Sequence, residues 1–169
     1  ASDVYKRQLM NISKDILDSL GIKNSLGGTY LAMEGPQFSS KAESLLYRSW
    51  NCDIIGMTNM PEAKLARESE IRYASISMVT DYDSWSSEHE EVDLQMLLET
   101  MNKNVEKSKK FILNFSNKYF SDLDFSYDNT LTILNTSIVT QYENWNRSTE
   151  KKLTNILKRY KQDNNVGSK

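Results

Sequence analysis

The chain has 169 residues, 38% hydrophobic and 26% charged, which suits one soluble domain with a real core. Its 21 basic and 23 acidic residues leave a formal net charge of −2, which argues against a nucleic-acid or anionic-membrane surface. A single cysteine, Cys52, and a single histidine, His89, exclude a cysteine zinc cluster, an intrachain disulfide framework and most triad chemistries.

No apolar run approaches the roughly 18–20 residues of a membrane span, and the first residues lack the apolar core of a secretory signal, so the expected compartment is the cytoplasm. Asp3–Gln8, DVYKRQ, resembles the in-frame translation of a transposase-end adapter used in sequencing libraries. Residues 1–8 are therefore expected to be a non-native tail, with the natural sequence starting near Leu9 inside a truncated chain.

Leu9, Ile12, Ile16 and Leu20 then recur at spacings of three and four, the mark of one helical face, and Gly21 stops it. TYLAME, Thr29–Glu34, reads as a strand broken by Gly35 and Pro36. In SKAESLLYRSW, Ser40 is followed three residues later by Glu43, the spacing of a capping box, which predicts a helix to Trp50 or Asn51. DIIGM, Asp53–Met57, is apolar and β-branched enough for a buried strand, and Pro61 falls in the first turn of the next helix. YASISMVT, Tyr73–Thr80, is the third expected strand. From Val92 onward Leu94, Leu97, Met101, Val105, Ile112 and Phe115 trace a long amphipathic helix whose wet face is KNVEKSKK. Residues 163–169 are expected to be a disordered tail.

Alternation of strand and helix predicts an α/β fold with parallel strands, in which ligands sit outside the carboxyl ends of the strands. EGPQFSS, TNM and DYD occupy those ends. In an extended chain the side chains of Asp81 and Asp83 point the same way, so two carboxylates would face one spot. An aspartate after a strand also serves as a turn or capping residue, and that reading stands beside the functional one.

These segments carry a resemblance. GTYLAMEGPQFSSKAES, YRSW, DIIGMTNMPEAKLARE and YASISMVTDYDSW resemble, in order and spacing, the C-terminal half of the 5′-methylthioadenosine phosphorylases of the purine nucleoside phosphorylase family. The likeness runs from about Leu9 to Tyr160. It implies a phosphorylase/hydrolase-like mixed sheet flanked by helices, with residues 9–162 forming the C-terminal part of one nucleoside phosphorylase domain. It also implies a pentosyltransferase of purine and methionine salvage, active as a homotrimer. In that reaction inorganic phosphate, as co-substrate, attacks the anomeric carbon of methylthioadenosine and releases adenine and 5-methylthioribose 1-phosphate. No cofactor or metal is implied.

By match to the family motif, Asp81 partners the imidazole-ring nitrogen of the leaving purine and Asp83 accepts from its exocyclic amine. Repulsion between the two and partial burial would raise one carboxyl pKa, keeping a proton for donation. Phe38 would pack on the purine, and Ser39 marks the adenine-selective branch. Met57 would lie along the ribose, Thr58 would donate to phosphate, and Leu94 and Leu97 would line the methylthio pocket.

Read without the family, Phe38, Met57, Leu94 and Leu97 are core residues, Thr58 is a strand-end cap, His89 is a solvated turn residue and Cys52 packs as a small apolar group. The family often has cysteine at Ser84 and glycine at Asn51; neither change touches an expected contact, and asparagine tolerates left-handed backbone. Its main phosphate-binding loops precede Leu9, so the chain by itself is expected to be inactive. The alternatives are a phosphorylase for 6-oxopurine nucleosides, a magnesium-dependent aspartyl phosphotransferase, and a non-catalytic nucleoside-binding fragment.

Overall fold

Residues 3–85, 94–122 and 129–167 are described in the computed structural model, so His89, its acidic turn and Val92 lie outside the described residues. The chain divides into two units, one of Arg7–Met60 with Ala74–Leu123 and the other of Ala1–Lys6, Pro61–Tyr73 and Asp124–Lys169.

Helix ends fix the first unit. Helix α1 runs over Asp3–Ser19. It closes in a Schellman motif, with Ile22 N–H donating to the Leu17 carbonyl (2.9 Å), Gly21 N–H to that of Asp18 (3.0 Å), and Gly21 at φ 63°. The adapter-like segment is thus helical from Asp3 onward. Leu9 and Ile16 are buried on the expected face, and Ser13 between them satisfies its hydroxyl on the Leu9 carbonyl. Helix α2, Lys41–Ser49, starts on the full capping box of Ser40 and Glu43. It ends in the same motif with Asn51 at φ 57°, the left-handed turn that the sequence allows an asparagine to make.

Helix α2 connects strand β1, Tyr30–Ala32, to strand β2, Ile54–Gly56, and the two pair in parallel with Tyr30 opposite Ile54 and Ala32 opposite Gly56. Gly56 is required for this close approach, since a Cβ there would come within 1.9 Å of the Tyr30 hydroxyl oxygen. The sheet has two strands. Tyr73–Thr80, expected as a third strand, forms no ladder with either and is irregular, because β-rich composition marks a strand only where a neighbour takes up its amides and carbonyls.

Helix α3, Asn59–Glu68, kinks at Met60 (φ −122°, ψ 129°), the conformation imposed on a residue before proline, so regular helix begins at Pro61. Helix α4 covers Leu94–Asp122. Its expected apolar face is only partly buried: Phe111 is the buried residue, stacked near Phe115 at 5.5 Å, while Met101, Val105 and Ile112 are exposed. Periodicity names a face; burial needs a partner surface, and among the described side chains of α4 it is Phe111, outside the expected stripe, that finds one.

The second unit is organised around an ion pair. Helix α3 closes at Glu70, which adopts φ 56°, a left-handed conformation ordinarily left to glycine or asparagine. There its carboxylate accepts from Arg159 Nε (2.5 Å) and Nη2 (2.6 Å) and from the Leu134 amide (3.1 Å). Leu134 begins helix α5, Leu134–Ser137; helix α6 is Arg147–Lys152 and helix α7 is Thr154–Asp163. Of residues 163–169, expected as a disordered tail, 163–167 are described and ordered: Asp163 accepts from Arg159 (2.7 Å), and Asn165, at φ 53°, closes α7 in a further Schellman turn.

Glu70→Gln is expected to destabilise this unit by about 2–3 kcal/mol, since it strips a half-buried guanidinium of its carboxylate. Glu70→Gly, which suits the backbone, should recover at most about 1 kcal/mol of that loss. Urea unfolding of the three proteins checks both figures.

Glu150 gives a second test. Hydrogen bonds from Lys161, then Arg147, and more weakly from Tyr142 outweigh burial and hold its carboxyl at about 2. A depressed folded value means that the contribution is complete above the ordinary carboxylate range and is lost as pH falls through about 2. Carboxyl-carbon NMR titration should show no inflection of Glu150 in the ordinary range.

Candidate active site

The site is built where two loops meet on Asp83. Ser39, just ahead of the α2 cap, is buried, and its hydroxyl donates to both Asp83 oxygens at 3.0 and 3.1 Å across 44 residues of sequence. The Ser84 amide donates to Asp83 Oδ1 (2.9 Å), and the Ser84 hydroxyl donates to the Ser39 carbonyl (3.0 Å), closing the loop pair into a ring. Ser44, wholly buried in α2 and lacking a partner at hydrogen-bond geometry, is close enough to favour the charge as a hydroxyl dipole. At the other end of α2, the Arg48 guanidinium lies 3.9 Å above the Trp85 ring. One short helix therefore grips both ends of Asp83–Trp85.

Burial pushes the Asp83 carboxyl up, but the hydroxyls of Ser44 and Ser39 and the amide and hydroxyl of Ser84 together hold it below the ordinary aspartate value. The expected proton reserve is therefore not at Asp83: it is ionised and acceptor-only. Ser84, thought neutral to the site, is one of its supports, and a donor N–H and O–H directly after the aspartate was the signal for it.

Asp81 has different company. It is exposed and accepts from the Thr80 hydroxyl at 2.5 Å. Its backbone is steadied from α4, where Asn104 Nδ2 donates to the Val79 carbonyl (3.1 Å). The two aspartates thus face separate partners rather than one spot, since the pleat that would align them is absent from this segment.

Met57, at the end of β2, packs its sulfur against Gly35, where a Cβ would lie 2.8 Å away and where φ is +73°, so the loops after β1 and β2 also touch. Phe38 projects from the first of these loops, 85% exposed, and Thr58 is exposed on the second. Leu97 is half-buried on α4; of Leu94 only the backbone is described. The structure joins Ser39 to Asp83 and Met57 to the Gly35 loop, and it leaves Phe38, Thr58 and Asp81 open to solvent. A cavity of about 430 Å³ among the described residues belongs to the other unit and contains none of these groups. No cluster of three or more potential metal ligands occurs among the described residues, and none of their helices is long and apolar enough to cross a membrane.

The family model of the Phosphorylase superfamily matches residues 2–117. The chain belongs to the Phosphorylase superfamily. Within the superfamily it is 60% identical over 92 residues to the S-methyl-5′-thioadenosine phosphorylase of Cereibacter sphaeroides, covering 54% of this chain and 32% of the relative. Its fold resembles that of a methylthioadenosine phosphorylase crystal structure from an antarctic soil metagenomic library, with TM-score 0.81 and 34% identity over 89% of this chain and 53% of that one. An adenosine/methylthioadenosine phosphorylase double mutant from Schistosoma mansoni, in complex with adenine, aligns with TM-score 0.67 and 28% identity over 79% of this chain and 53% of that one. The chain spans about a third of the length of that curated relative and about half of these solved chains. The superfamily's α/β architecture is thus represented by the parallel pair and its flanking helices.

Ser39→Ala should raise the Asp83 pKa toward the ordinary range and cost about 1 kcal/mol of stability above that range, a loss that disappears as pH falls through the folded value. Ser84→Cys, which keeps the backbone donor, should move both less. Carboxyl NMR titration paired with thermal unfolding between acid and neutral pH reads out the two effects.

Proposed function

We propose that this chain supplies the purine-facing part of a phosphorylase that cleaves 5′-methylthioadenosine to adenine and 5-methylthioribose 1-phosphate. The observation that carries this is the ionised Asp83 held by Ser39 and Ser84. A carboxylate can only accept hydrogen bonds, so it suits the 6-amino group of adenine and repels the carbonyl of a 6-oxopurine. The names of the relatives, and the adenine complex among the solved structures, support the same reading.

In this mechanism Asp83 orients the base through its amine while Phe38 covers a ring face. Asp81 is the partner of the imidazole-ring nitrogen, where negative charge develops as the glycosidic bond breaks; a hydrogen-bond donor or acid at such a position is worth about 100- to 10,000-fold in rate. Phosphate, held in part by the Thr58 hydroxyl, attacks the anomeric carbon as adenine departs. Met57 flanks the ribose, and Leu94 and Leu97 face the thioether. Thr58 alone does not balance a dianion, so the other phosphate donors come from protein outside these residues. Assembly as a homotrimer and residence in the cytoplasm are part of the same proposal.

Two outcomes test it. Calorimetry with this chain should show adenine binding at least about tenfold tighter than hypoxanthine, a gap of about 1.4 kcal/mol, and Asp83→Asn should erase the preference. Equal affinity for both bases would remove the reading. Incubated with methylthioadenosine and phosphate, the chain by itself should release adenine only at background rate; efficient release would show that Thr58 needs no further donors.

A further inference from the structure

Helices α6 and α7 gather positive charge that nothing in the purine site uses. Lys151, Thr154, Lys158 and Lys161 follow at spacings of three, four and three, and with Arg147 and Glu150 they line the cavity of about 430 Å³. Four cations against one carboxylate leave an excess of three positive charges in a chain whose formal total is −2.

The charges are not equivalent. Glu150 is already occupied, accepting from Lys161 (2.5 Å), Arg147 (2.9 Å) and the Tyr142 hydroxyl (3.2 Å). Arg147 and Lys161 are further fixed over the face of Tyr142, at 4.4 and 5.6 Å from its centroid. Lys151 and Lys158 have no carboxylate partner among the described residues, and both are exposed at the cavity. Two like charges lining one cavity from successive helices repel, and a counter-ion of two negative charges would cancel both. The volume falls in the range of sites for small ligands and leaves no room for a folded partner.

The geometry points to a second anion site in this chain, in which Lys151 and Lys158 bind the phosphate group of a small phosphorylated molecule while Arg147 and Lys161 form its prearranged rim. A phosphate monoester carries about −1.5 to −2 charge at neutral pH, the amount that the two unpaired lysines lack. Thr154 does not compete for the donor role, because its hydroxyl is spent on the Lys151 carbonyl (2.8 Å). The site lies in a different unit from Thr58 and is independent of the proposed phosphorolysis.

Amide NMR titrations of the chain with inorganic phosphate and with ribose 5-phosphate, at low and constant ionic strength, test this. Saturable shifts confined to residues 147–161 are expected from both; tighter binding of the sugar phosphate would assign the site to an organic phosphate, and equal binding to the free ion. Lys158→Gln and Lys151→Gln, which are surface changes and should preserve the spectrum elsewhere, should each weaken binding about tenfold, and Thr58→Ala should leave it unchanged. Chloride reproducing the same shifts, or both lysine variants retaining full affinity, would overturn the proposal. A Thr58→Ala protein that loses binding would do the same, by moving the anion to the purine site.

Discussion

The site depends on one hydrogen bond, from the buried Ser39 hydroxyl to the Asp83 carboxylate. It ties together two loops separated by 44 residues and does so at the start of α2, where the helix dipole already favours negative charge. A part-buried bond of this kind contributes only about 1 kcal/mol, yet it decides where the carboxylate points. Three features fix Ser39 in place: the parallel β1–β2 register, the capping box on Ser40 and the left-handed turn at Asn51 that returns the chain to β2. Arg48 on Trp85 then holds the far end of the segment, so Asp83–Trp85 is tied at one end to the Ser39 loop and at the other to α2.

Two carboxylates one residue apart consequently sit in unlike environments. Asp83 is partly buried among hydroxyls and an amide, which stabilise its charge; Asp81 is exposed with a single hydroxyl neighbour. Division of labour between neighbouring acids is set by such differences rather than by their repulsion. In the proposed reaction the ionised Asp83 reads the amine and Asp81 faces the imidazole-ring nitrogen, two positions that their separate partners keep apart.

How legible this was in the sequence varies by the range of the interaction. Local signals were readable: the capping box at Ser40 and Glu43, the stop at Gly21, Pro61 in a first turn and the length of α4. Asn51 was readable because a left-handed turn needs a residue without branching at Cβ. What depends on a neighbour was not. Tyr73–Thr80 has strand composition and no strand partner, and the stripe Met101, Val105 and Ile112 has helical spacing while Phe111 takes the burial. The local bond from the Ser84 amide to Asp83 was readable, whereas the bond from its hydroxyl to the Ser39 carbonyl was hidden because it forms only when the Ser39 loop is beside it. The basic face of α6 and α7 was written in the spacing of Lys151, Lys158 and Lys161, but in a chain of near-balanced charge it read as ordinary solvated surface.

The kind of partner a carboxylate keeps separates a structural acid from a chemical one in this molecule. Glu70 and Glu150 are each surrounded by cations: Arg159 takes both oxygens of Glu70, while Lys161 and Arg147 divide those of Glu150. Such groups have their charge cancelled and their lone pairs filled, and they hold helices in place. Asp83 is kept ionised by neutral donors, which leave its charge whole. Ser39 reaches both Asp83 oxygens, and the Ser84 amide and hydroxyl both approach Oδ1, so the carboxylate is ringed by neutral donors alone. Under the proposed reading, that uncancelled charge is what the exocyclic amine of adenine would meet, whereas Glu70 and Glu150 have theirs cancelled by cations.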